Sequence, residues 1–388
     1  MKVLVLGAGL VGRPMAIDLA RDNSFKVTVA DLSKKNLDRI PNEIPVQKIE
    51  QDLSNLSELN KLVKNYDIVL NAVPGFLGFN TLKEIIKAGK NVVDIAFFPE
   101  DPFELDELAK KNNVTAIVDC GVAPGMSNIF SGYVDNILDK TETIIIYVGG
   151  LPEIRQYPYE YKAGFSPIDV IEEYTRPARY VENGKLVIRP ALSDPEFLNF
   201  PEIGTLEAFN SDGLRSLAVT LNAPNMKEKT LRYPGHIEKM MVLRESGFFS
   251  QDEIDVKGIK IKPIDFTSKI LFPMWELKDG DVDFTVMKVI VEGEKDSKKL
   301  RYTYDLFDRH DKETNVHSMA RTTGYTATTV LRMLAAGKFN RKGICPPEYI
   351  GQESGCLDYI LNGLSEKGIL YKENIEILNG EQNQFIKK

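Results

Sequence analysis

Cysteine and histidine are scarce in this sequence of 388 residues. The cysteines are Cys120, Cys345 and Cys356, and the histidines are His236, His310 and His317. No two cysteines form a CxxC pair, which excludes a disulfide framework and a thiolate zinc site. Three histidines are too few for a dedicated metal cage, so we predict no metal. Any redox chemistry must therefore come from a bound organic cofactor.

Long basic runs and long apolar runs are also absent. The 49 Lys and Arg residues against 56 Asp and Glu residues give a net charge of −7, which argues against nucleic acid as a partner. The best apolar stretch, 67–79, is interrupted by Asn71 and Pro74 and falls short of the roughly 18 residues that span a bilayer. Residues 1–6 resemble the start of a signal peptide, but the glycines after them cut the apolar stretch short. We therefore predict a cytoplasmic protein with no membrane partner.

The composition is that of a globular protein. With 43% hydrophobic and 27% charged residues, 28 Gly and 20 Pro, it excludes collagen, a coiled coil and a disordered acidic tail. At about 150 residues per domain, the length predicts two or three domains.

A glycine turn follows the first apolar run. Lys2–Leu6 has the Val- and Leu-rich composition of a parallel strand buried on both faces, and the next six residues read GAGLVG. Apolar residues at helical spacing then continue to Arg21. In this strand-to-helix setting Gly7 permits the tight turn, Gly9 lets backbone amides approach a pyrophosphate, and Gly12 lets the helix pack close. The segment predicts dinucleotide binding, and the alternative is a plain strand-to-helix turn.

Asp31 ends the second strand-like run, 25–30, where an acid would bind the adenosine ribose of a dinucleotide. Its carboxylate would bond the free ribose hydroxyls and repel a 2′-phosphate, which favours NAD over NADP. Lys34 and Lys35 nearby would soften that repulsion. In the alternative interpretation, Asp31 only opens a loop or caps the helix that starts near Ser33.

Further strand-like runs alternate with helix-like segments. The strand-like runs are 46–49, 68–73, 91–95 and 115–118, and the helix-like segments are 58–63, 82–88 and 103–111. This alternation predicts an α/β fold with a Rossmann-type, doubly wound parallel sheet, whose ligands bind at the carboxyl ends of the strands. Each residue there could also be only a turn or a cap. The candidate cofactor-binding residues are Gly7, Gly9, Leu10, Val11, Gly12, Asp31, Asp52, Asn71, Ala72, Val73, Pro74, Gly121 and Val122.

The pattern changes after residue 125. A helix-like stretch reaches Leu138, a β-branched run follows at 143–148, and the runs 283–291 and 300–306 alternate with period two. These features predict an α+β domain with a mostly antiparallel sheet. Three polar stretches, 174–179, 209–215 and 230–239, are predicted as loops that carry substrate chemistry. We predict domains at 1–125, 126–328 and 329–388, the last made of helices that return to the first domain.

Several segments together resemble one family. They read MKVLVLGAGLVG at 1–12, DCGVAPGMSNIFSGY at 119–133, IYVGGLP at 146–152, YTRPA at 174–178, GTLEAFNSDG at 204–213, TLRYPGHIEKM at 230–240 and MARTTGYTA at 319–327. On these motifs the chain resembles the saccharopine dehydrogenase superfamily, and most closely its L-lysine 6-dehydrogenase branch. The resemblance covers nearly the whole chain.

The resemblance implies that NAD accepts a hydride from the ε-carbon of L-lysine, and that imine hydrolysis releases ammonia and 2-aminoadipate 6-semialdehyde. It also implies a homodimer built through the second domain. The rival enzyme is a saccharopine or carboxynorspermidine type of reductase, whose GLDPG-type loop is here GVAPG, with Ala123 at the acidic position. A third alternative is a non-catalytic NAD-binding sensor, which the unusual segment AFFPEDP at 96–102 favours.

The implied reaction needs a group that receives the amine proton, because a free lysine amine has a pKa of about 10.4. Asp94 and His236 are the catalytic candidates, with a capping or cofactor-facing role for Asp94 and a structural role for His236 as the alternatives. Arg215 and Arg232 are the candidates to bind the substrate carboxylate, and the alternative for each is a salt bridge. Cys120 is predicted to be a buried packing residue.

Overall fold

The computed structural model describes residues 1–278 and 280–378. The strands are β1 (Lys2–Leu6), β2 (Lys26–Asp31), β3 (Val46–Glu50), β4 (Ile68–Asn71), β5 (Asn91–Asp94), β6 (Thr115–Ile117), β7 (Lys140–Pro152), β8 (Ala178–Glu182), β9 (Lys185–Arg189), β10 (Glu196–Phe200), β11 (Gly204–Asn210), β12 (Asn225–Arg232), β13 (Ile254–Val256), β14 (Ile259–Ile261), β15 (Asp283–Lys295), β16 (Lys298–Arg309), β17 (Gly343–Cys345) and β18 (Tyr371–Ile377). The α-helices are α1 (Gly12–Ala20), α2 (Lys34–Asp38), α3 (Leu56–Val63), α4 (Gly75–Lys87), α5 (Asp106–Lys111), α6 (Met126–Ile137), α7 (Pro167–Thr175), α8 (Leu217–Thr220), α9 (His236–Glu245), α10 (Pro263–Trp275), α11 (Ser318–Ala335), α12 (Pro347–Gly351) and α13 (Cys356–Ser365). Within the described residues, no helix combines the length and the hydropathy that a bilayer crossing requires.

The chain forms two compact units, and unit 1 comprises Met1–Tyr133 and Asp311–Leu370. In its described part, the strands of unit 1 form a sheet in the order β17-β6-β5-β4-β1-β2-β3, and every neighbouring pair is parallel. The central strands β1 and β4 are almost wholly buried, as their Val- and Leu-rich sequences require. The predicted doubly wound parallel sheet is confirmed.

The predicted strands and helices of this sheet are present, with one helix longer than expected. Helix α4 begins at Gly75, ahead of the predicted start at residue 82. Gly78 lies inside this helix. A Cβ there would come within 2.8 Å of side-chain atoms of Ala96 and Phe98, so the position requires glycine. Gly78, which suggests a break in the sequence, therefore allows the helix to pack closely on the next loop.

The C-terminal part of unit 1 returns to the parallel sheet. Helix α11 packs against α1, where Arg332 donates to Asp18 at 2.8 Å, and β17 extends the sheet beside β6. The boundary predicted at 328/329 falls inside α11, and β18 pairs with β16 in the other unit, where the sequence predicted helices. A strand as short as β17 and one as exposed as β18 carry little apolar pattern. Residues 379–388 of the predicted last domain lie outside the described residues.

Unit 2 comprises Val134–His310 and, among the described residues, the segment 371–378. Across the residues that the structure describes, its main sheet has nine strands, with the path β10-β11-β12-β7-β15-β16-β18 and the hairpin of β8 and β9 attached to β12. Strands β12 and β7 run parallel, and the other neighbours run antiparallel. The prediction of a second, mostly antiparallel α+β unit is confirmed.

Helices α7, α9 and α10 share an apolar core with this sheet. The core includes Val170, Ile171, Tyr174, Ile237, Met240, Leu271 and Trp275 from the helices and Leu206, Phe209, Leu231 and Val286 from the strands. The prediction of three loops at 174–179, 209–215 and 230–239 is therefore wrong in part, because the ends of α7, β11 and β12 and the start of α9 occupy much of these stretches. The polar residues of these three stretches pair with one another inside unit 2. They therefore occupy buried positions, and the regular spacing of apolar residues that marks a strand or a helix is lost from the sequence.

Candidate functional site

The glycine turn joins β1 to α1 at the carboxyl end of the parallel sheet. Gly7 has a φ of 97°, and a Cβ there would lie 2.6 Å from the carbonyl oxygen of Ala72. A Cβ on Gly12 would lie 2.1 Å from the carbonyl oxygen of Gly7, so α1 packs directly on the turn. A Cβ on Gly9 would meet no atom within 4 Å. The turn is thus closed at Gly7 and Gly12 and open at Gly9, which is the shape that a pyrophosphate-binding turn requires.

The first turn of α1 supplies the backbone amides next to this opening. Leu10 is partly exposed, Val11 is buried, and no side chain caps the helix N-terminus. Uncapped N–H groups and the helix dipole favour an anion at this end of a helix. The residues present therefore fit the phosphates of a dinucleotide.

Asp31, at the end of β2, is tied to the glycine turn. Its Oδ2 accepts from the backbone N–H of Ala8 at 2.6 Å, and its Oδ1 accepts from the N–H of Ser33 at 2.7 Å. Ser33 caps α2 by accepting from the N–H of Asn36. Asp31 therefore orders both the turn and the loop before α2, while its partly exposed carboxylate keeps the position predicted for a ribose contact.

Asn71 and Asp94 form a fully buried polar pair at the ends of β4 and β5. Asn71 donates from Nδ2 to Asp94 Oδ2 at 3.0 Å, and the N–H of Ala96 donates to Asp94 Oδ1 at 2.7 Å. The geometry therefore favours the capping role of Asp94 over a general base. Asn71 Oδ1 is buried and finds no donor within the described residues.

Other cofactor candidates lie in the connections after β3 and β4. Ala72, Val73 and Pro74 lead into α4, whose N-terminus also has no side-chain cap. Asp52 is exposed and accepts from the hydroxyl of Ser54 at 2.7 Å and from its N–H at 2.9 Å, and these bonds lower the pKa of Asp52. The geometry at Asp52 is that of a local turn.

The loop after β6 contains the candidates Gly121 and Val122. The N–H of Gly121 donates to the carbonyl of Pro124 at 3.0 Å, and a Cβ on Gly125 would lie 1.8 Å from the carbonyl oxygen of Gly121. Cys120, just before the loop, is fully buried, and burial raises the pKa of its thiol. Cys120 is therefore a packing residue, as predicted, and not a reactive thiolate.

Two residues that the sequence did not point to hold this loop in place. Asn128 Oδ1 accepts from the N–H of Gly125 at 3.3 Å, as the third residue of a capping box does, and its Nδ2 donates to Glu348 Oε2 at 3.1 Å. Glu348 is fully buried and lies 220 residues further along the chain. The position of Asn128 near the start of α6 is a sequence signal from which its capping role could have been predicted. No feature of the sequence around Glu348 indicates its role.

In unit 2, Arg232, Glu173, Tyr174, His236 and Tyr161 form one group, which we call the Arg232 cluster. Arg232 is only 2% exposed, forms an ion pair with Glu173, and donates from Nε to the hydroxyl of Tyr174 at 3.3 Å. Its guanidinium carbon lies 4.4 Å from the ring centre of Tyr161, a cation–π contact. These contacts favour the salt-bridge alternative for Arg232 over a substrate contact.

His236 completes the Arg232 cluster in its neutral form. Nδ1 lies 2.8 Å from the carbonyl oxygen of Tyr159, which can only accept, so Nδ1 carries the proton. Nε2 then accepts from the hydroxyl of Tyr174 at 3.0 Å. Burial and the charge of Arg232 lower the pKa of His236 to about 3. With both ring nitrogens bonded, the geometry favours the structural alternative for His236.

Arg215 belongs to a separate group of charges in unit 2. It is buried, and its backbone has a φ of 51°. Burial lowers the pKa of Arg176, and the positive charge of Arg215 lowers it further. Arg179 nearby donates to both carboxylate oxygens of Asp212, at 2.8 and 2.9 Å. Arg176 is partly buried and forms an ion pair with Glu172, with 3.3 Å between Nη2 and Oε2.

Glu228 is a buried acid that the sequence analysis also missed. Its Oε2 accepts from the hydroxyl of Ser211 at 2.7 Å and from the N–H of Gly213 at 3.0 Å. Burial outweighs these bonds and raises the pKa of Glu228 to about 8. Its period-two neighbours on β12 are the polar residues Thr230 and Arg232, which hides the buried face of this strand from sequence analysis.

We expect Glu228→Gln to remove a pH dependence of stability. Because the folded-state pKa of Glu228 is raised above its unfolded value, the native protein loses stability as the pH rises from about 4.5 to about 8. The glutamine keeps an acceptor oxygen and cannot ionise. As the pH rises through this window, the free energy of unfolding of the variant should therefore increase relative to that of the wild type by up to about 1 kcal/mol per pH unit. Urea unfolding at pH 5, 6, 7 and 8 measures the free energy of unfolding of both proteins. If the two plots of this free energy against pH were parallel, they would contradict the raised pKa of Glu228.

The structure divides the predicted site residues between the units. Asp94 and the cofactor candidates lie in unit 1, whereas His236, Arg215 and Arg232 lie in unit 2. The strand order of unit 1 and its glycine turn, open at Gly9, define a Rossmann-type dinucleotide-binding domain. The chain is therefore of the class that joins such a domain to a second, mixed-sheet unit.

Comparison with known proteins gives the family. Residues 3–117 match the model of the saccharopine dehydrogenase NADP binding domain, and residues 121–369 match that of the saccharopine dehydrogenase C-terminal domain. The chain belongs to the saccharopine dehydrogenase family of oxidoreductases. The superfamily resemblance read from the motifs is confirmed.

Three curated relatives show how far the similarity extends. The chain is 27% identical over 271 residues to the alpha-aminoadipic semialdehyde synthase of Bos taurus, covering 65% of this chain but only 29% of that protein. It is 27% identical to the saccharopine dehydrogenase [NADP(+), L-glutamate-forming] of Pyricularia oryzae, covering 77% of this chain and 69% of the relative. It is 24% identical to the carboxyaminopropylagmatine dehydrogenase of a Synechocystis species, covering 98% of both chains.

A solved structure supports the fold. The apo saccharopine dehydrogenase (L-Glu forming) from Saccharomyces cerevisiae superimposes with a TM-score of 0.78 at 21% identity, over 97% of this chain and 99% of the other. At this identity the similarity concerns the fold alone.

Proposed function

We propose that this chain oxidises the ε-amine of L-lysine with NAD, releasing 2-aminoadipate 6-semialdehyde and ammonia. The observation that carries the cofactor part is the glycine turn, which is open at Gly9 and tied to Asp31 through Ala8. The buried guanidinium of Arg215 would bind the substrate carboxylate in this proposal. The nicotinamide, when bound, accepts a hydride from the carbon that carries the amine.

In this proposal, the residues at the carboxyl ends of the parallel strands would bind and orient the dinucleotide. The amides of the Gly7–Gly12 turn would contact the pyrophosphate, and Asp31 would accept from the ribose hydroxyls. The loop that contains Gly121 and Val122 is held by Asn128, so its backbone is ordered before any ligand binds. Preorganised backbone groups of this kind reduce the entropy cost of positioning the reactants.

The substrate amine must be neutral before a hydride can leave the adjacent carbon, since a protonated amine has no lone pair to stabilise the resulting cation. Our sequence-based candidates for the proton acceptor, Asp94 and His236, both have their bonding atoms engaged. We therefore propose that desolvation in the binding site lowers the pKa of the amine, which releases its proton to solvent water, so that no fixed base is required.

The second candidate function is oxidation of a secondary amine, or reduction of the corresponding imine. It is favoured by the names of the relatives, which include saccharopine dehydrogenases and a carboxyaminopropylagmatine dehydrogenase matched over nearly its full length. Ala123 in the GVAPG loop, where the reductase pattern has an acid, favours lysine instead. A non-catalytic NAD-binding sensor is the third outcome of the test.

The test is nicotinamide reduction by the purified chain with NAD or NADP and each of L-lysine, saccharopine and carboxyaminopropylagmatine. Lysine-dependent NADH formation with an equal amount of ammonia is the expected result. Turnover of a secondary amine alone would transfer the assignment to the second candidate, and nucleotide binding without turnover would favour the sensor. Arg215→Gln should raise the KM for lysine about tenfold or more while leaving the KM for NAD nearly unchanged.

We expect Asp31→Asn to narrow the preference for NAD over NADP by about tenfold or more, because the carboxylate repels a 2′-phosphate. The amide oxygen replaces one of the two carboxylate acceptors, so the variant keeps the bond from the N–H of Ala8 or the bond from the N–H of Ser33 and loses the other. Comparing kcat/KM for the two nucleotides in both proteins measures the change. A wild-type preference for NADP, as the names of some relatives suggest, or an unchanged ratio in the variant would remove Asp31 from this role.

A further inference from the structure

The buried carboxylate of Glu228 has one oxygen bound and one without a partner. Oε2 accepts from the hydroxyl of Ser211 at 2.7 Å and from the N–H of Gly213 at 3.0 Å. Across the described residues, Oε1 accepts no hydrogen bond, and it is not sealed from solvent, although the whole residue is only 3% exposed. Buried polar side chains normally have partners, so Oε1 is available to a donor that the chain itself does not supply.

The loop 211–216 fixes the orientation of this carboxylate. A Cβ on Gly213 would lie 2.3 Å from Cδ of Glu228, so the loop packs directly on the acid. The hydroxyl of Ser211 also lies 2.7 Å from that of Thr230, which stands on the same face of β12 as Glu228. Glu228 is therefore held in place before any ligand binds.

Titratable groups from four parts of unit 2 surround Glu228. They are Glu173 on α7, Arg179 and Tyr180 on β8, Asp212 in the loop 211–216 and Arg232 on β12. Arg179 is bound to Asp212, and Arg232 is bound to Glu173. Both arginines are thus engaged by other acids, while burial and the negative charges of Glu173 and Asp212 raise the pKa of Glu228 to about 8. Three carboxylates share two guanidinium groups here, so a ligand that brings a cation would stabilise the ionised form of Glu228.

Arg215 lies close to Glu228 along the same loop. It stands two residues after Gly213, whose N–H binds Glu228, and two residues span at most about 7 Å. An α-amino acid carries its carboxylate and its ammonium group on one carbon, so the groups that bind them must lie near each other. The loop 211–216 places an arginine and a glutamate in that relation.

We propose that Glu228 binds the α-ammonium group of the substrate, while Arg215 binds its α-carboxylate. This inference rests on the proposed function, and it limits the substrate to an amino acid that has both α-groups as well as the amine that is oxidised. The ammonium group donates to Oε1 and supplies the missing positive charge. Because only the ionised carboxylate forms this pair, binding drives the proton of Glu228 into solvent.

The test compares L-lysine with 6-aminohexanoate, which has the same chain length and carboxylate but no α-amino group. Calorimetric titration at pH 8, with NADH present so that no oxidation follows, gives the affinity for each ligand. The wild type should bind lysine at least about tenfold more tightly, and Glu228→Gln should reduce this ratio to within about twofold of one. Arg215→Gln should weaken the binding of both ligands alike, because both carry the carboxylate.

The matched control is Glu207→Gln on β11. Glu207 is also buried and accepts from the N–H of Gly235 at 3.0 Å, so this variant makes the same carboxylate-to-amide change at a second buried position. It should keep the wild-type ratio of affinities. Circular dichroism shows whether each variant is folded.

A second measurement uses the wild type alone. Between pH 6 and pH 8 its preference for lysine over 6-aminohexanoate should increase by up to about tenfold per pH unit, because Glu228 must lose its proton to form the pair. A preference that does not change with pH, equal affinity for the two ligands, or an unchanged ratio in a folded Glu228→Gln variant would each overturn the inference, whether or not lysine is oxidised. The expected ratios without oxidation of lysine by NAD would support it and contradict only the proposed reaction.

Discussion

Gly9→Ala should weaken binding of the dinucleotide about 100-fold while leaving the stability of the free protein unchanged. The added Cβ would meet no protein atom within 4 Å, so folding has no steric reason to change. The same Cβ would occupy the space that we assign to the pyrophosphate. Intrinsic fluorescence or calorimetric titration with NAD measures affinity, and urea unfolding without nucleotide measures the free energy of unfolding.

Gly12→Ala is the matched variant, because it adds a Cβ to the same turn at a position where protein atoms leave no room for it. Its Cβ would lie 2.1 Å from the carbonyl oxygen of Gly7, so we expect a loss of about 3 kcal/mol in stability together with the loss of binding. If Gly9→Ala binds NAD as tightly as the wild type, the pyrophosphate does not lie on this turn. If it unfolds as easily as Gly12→Ala, the open side of the turn is not open in solution.

Arg232→Met should lower the free energy of unfolding by about 3 kcal/mol, because it leaves the largely buried Glu173 without its cation. Methionine has nearly the length of the arginine stem, so most of the packing on Tyr161 is retained. Adding Glu173→Gln removes the unpaired charge, and the double variant should recover a large part of the loss. Urea unfolding of the four proteins forms a double-mutant cycle.

The control for this cycle is the more exposed pair of Arg189 and Glu182, whose side chains are 44 and 28% exposed, and Arg189→Met should cost less than about 1 kcal/mol. In the double variant, the KM for lysine should stay within a few-fold of the wild type, because Arg232 acts inside the fold in our account. An Arg232→Met variant of normal stability whose KM for lysine rises 100-fold would instead support the substrate contact that the sequence suggested.

Most of unit 1 can be predicted from sequence because its determinants are local. Strands β1, β2, β4, β5 and β6 are short, mostly apolar runs, and the glycine turn has steric requirements at Gly7 and Gly12 that the structure reproduces. Asp31 is the last residue of β2, the place where the sequence predicts the acid. The strand β17 and the role of Glu348 could not be predicted, since both depend on contacts with residues more than 200 positions away.

The candidate site in unit 2 shows where sequence reasoning stops. The residue types that suggested chemistry, Arg232 and His236, belong to a buried network whose partners, Glu173 and Tyr174, lie about 60 residues earlier in the chain. Motif spacing identifies such residues as unusual but does not distinguish a substrate contact from an internal ion pair. That distinction depends on which side chains the sheet brings together, and this is a property of the whole unit.

The measurement that tests the central claim most directly is a crystal structure of the chain with NAD. Our account predicts the pyrophosphate over the backbone of Gly9 and the adenosine ribose hydroxyls within hydrogen-bond distance of the carboxylate of Asp31. Density for the dinucleotide at any other place, with the turn from Gly7 to Gly12 empty, would contradict it.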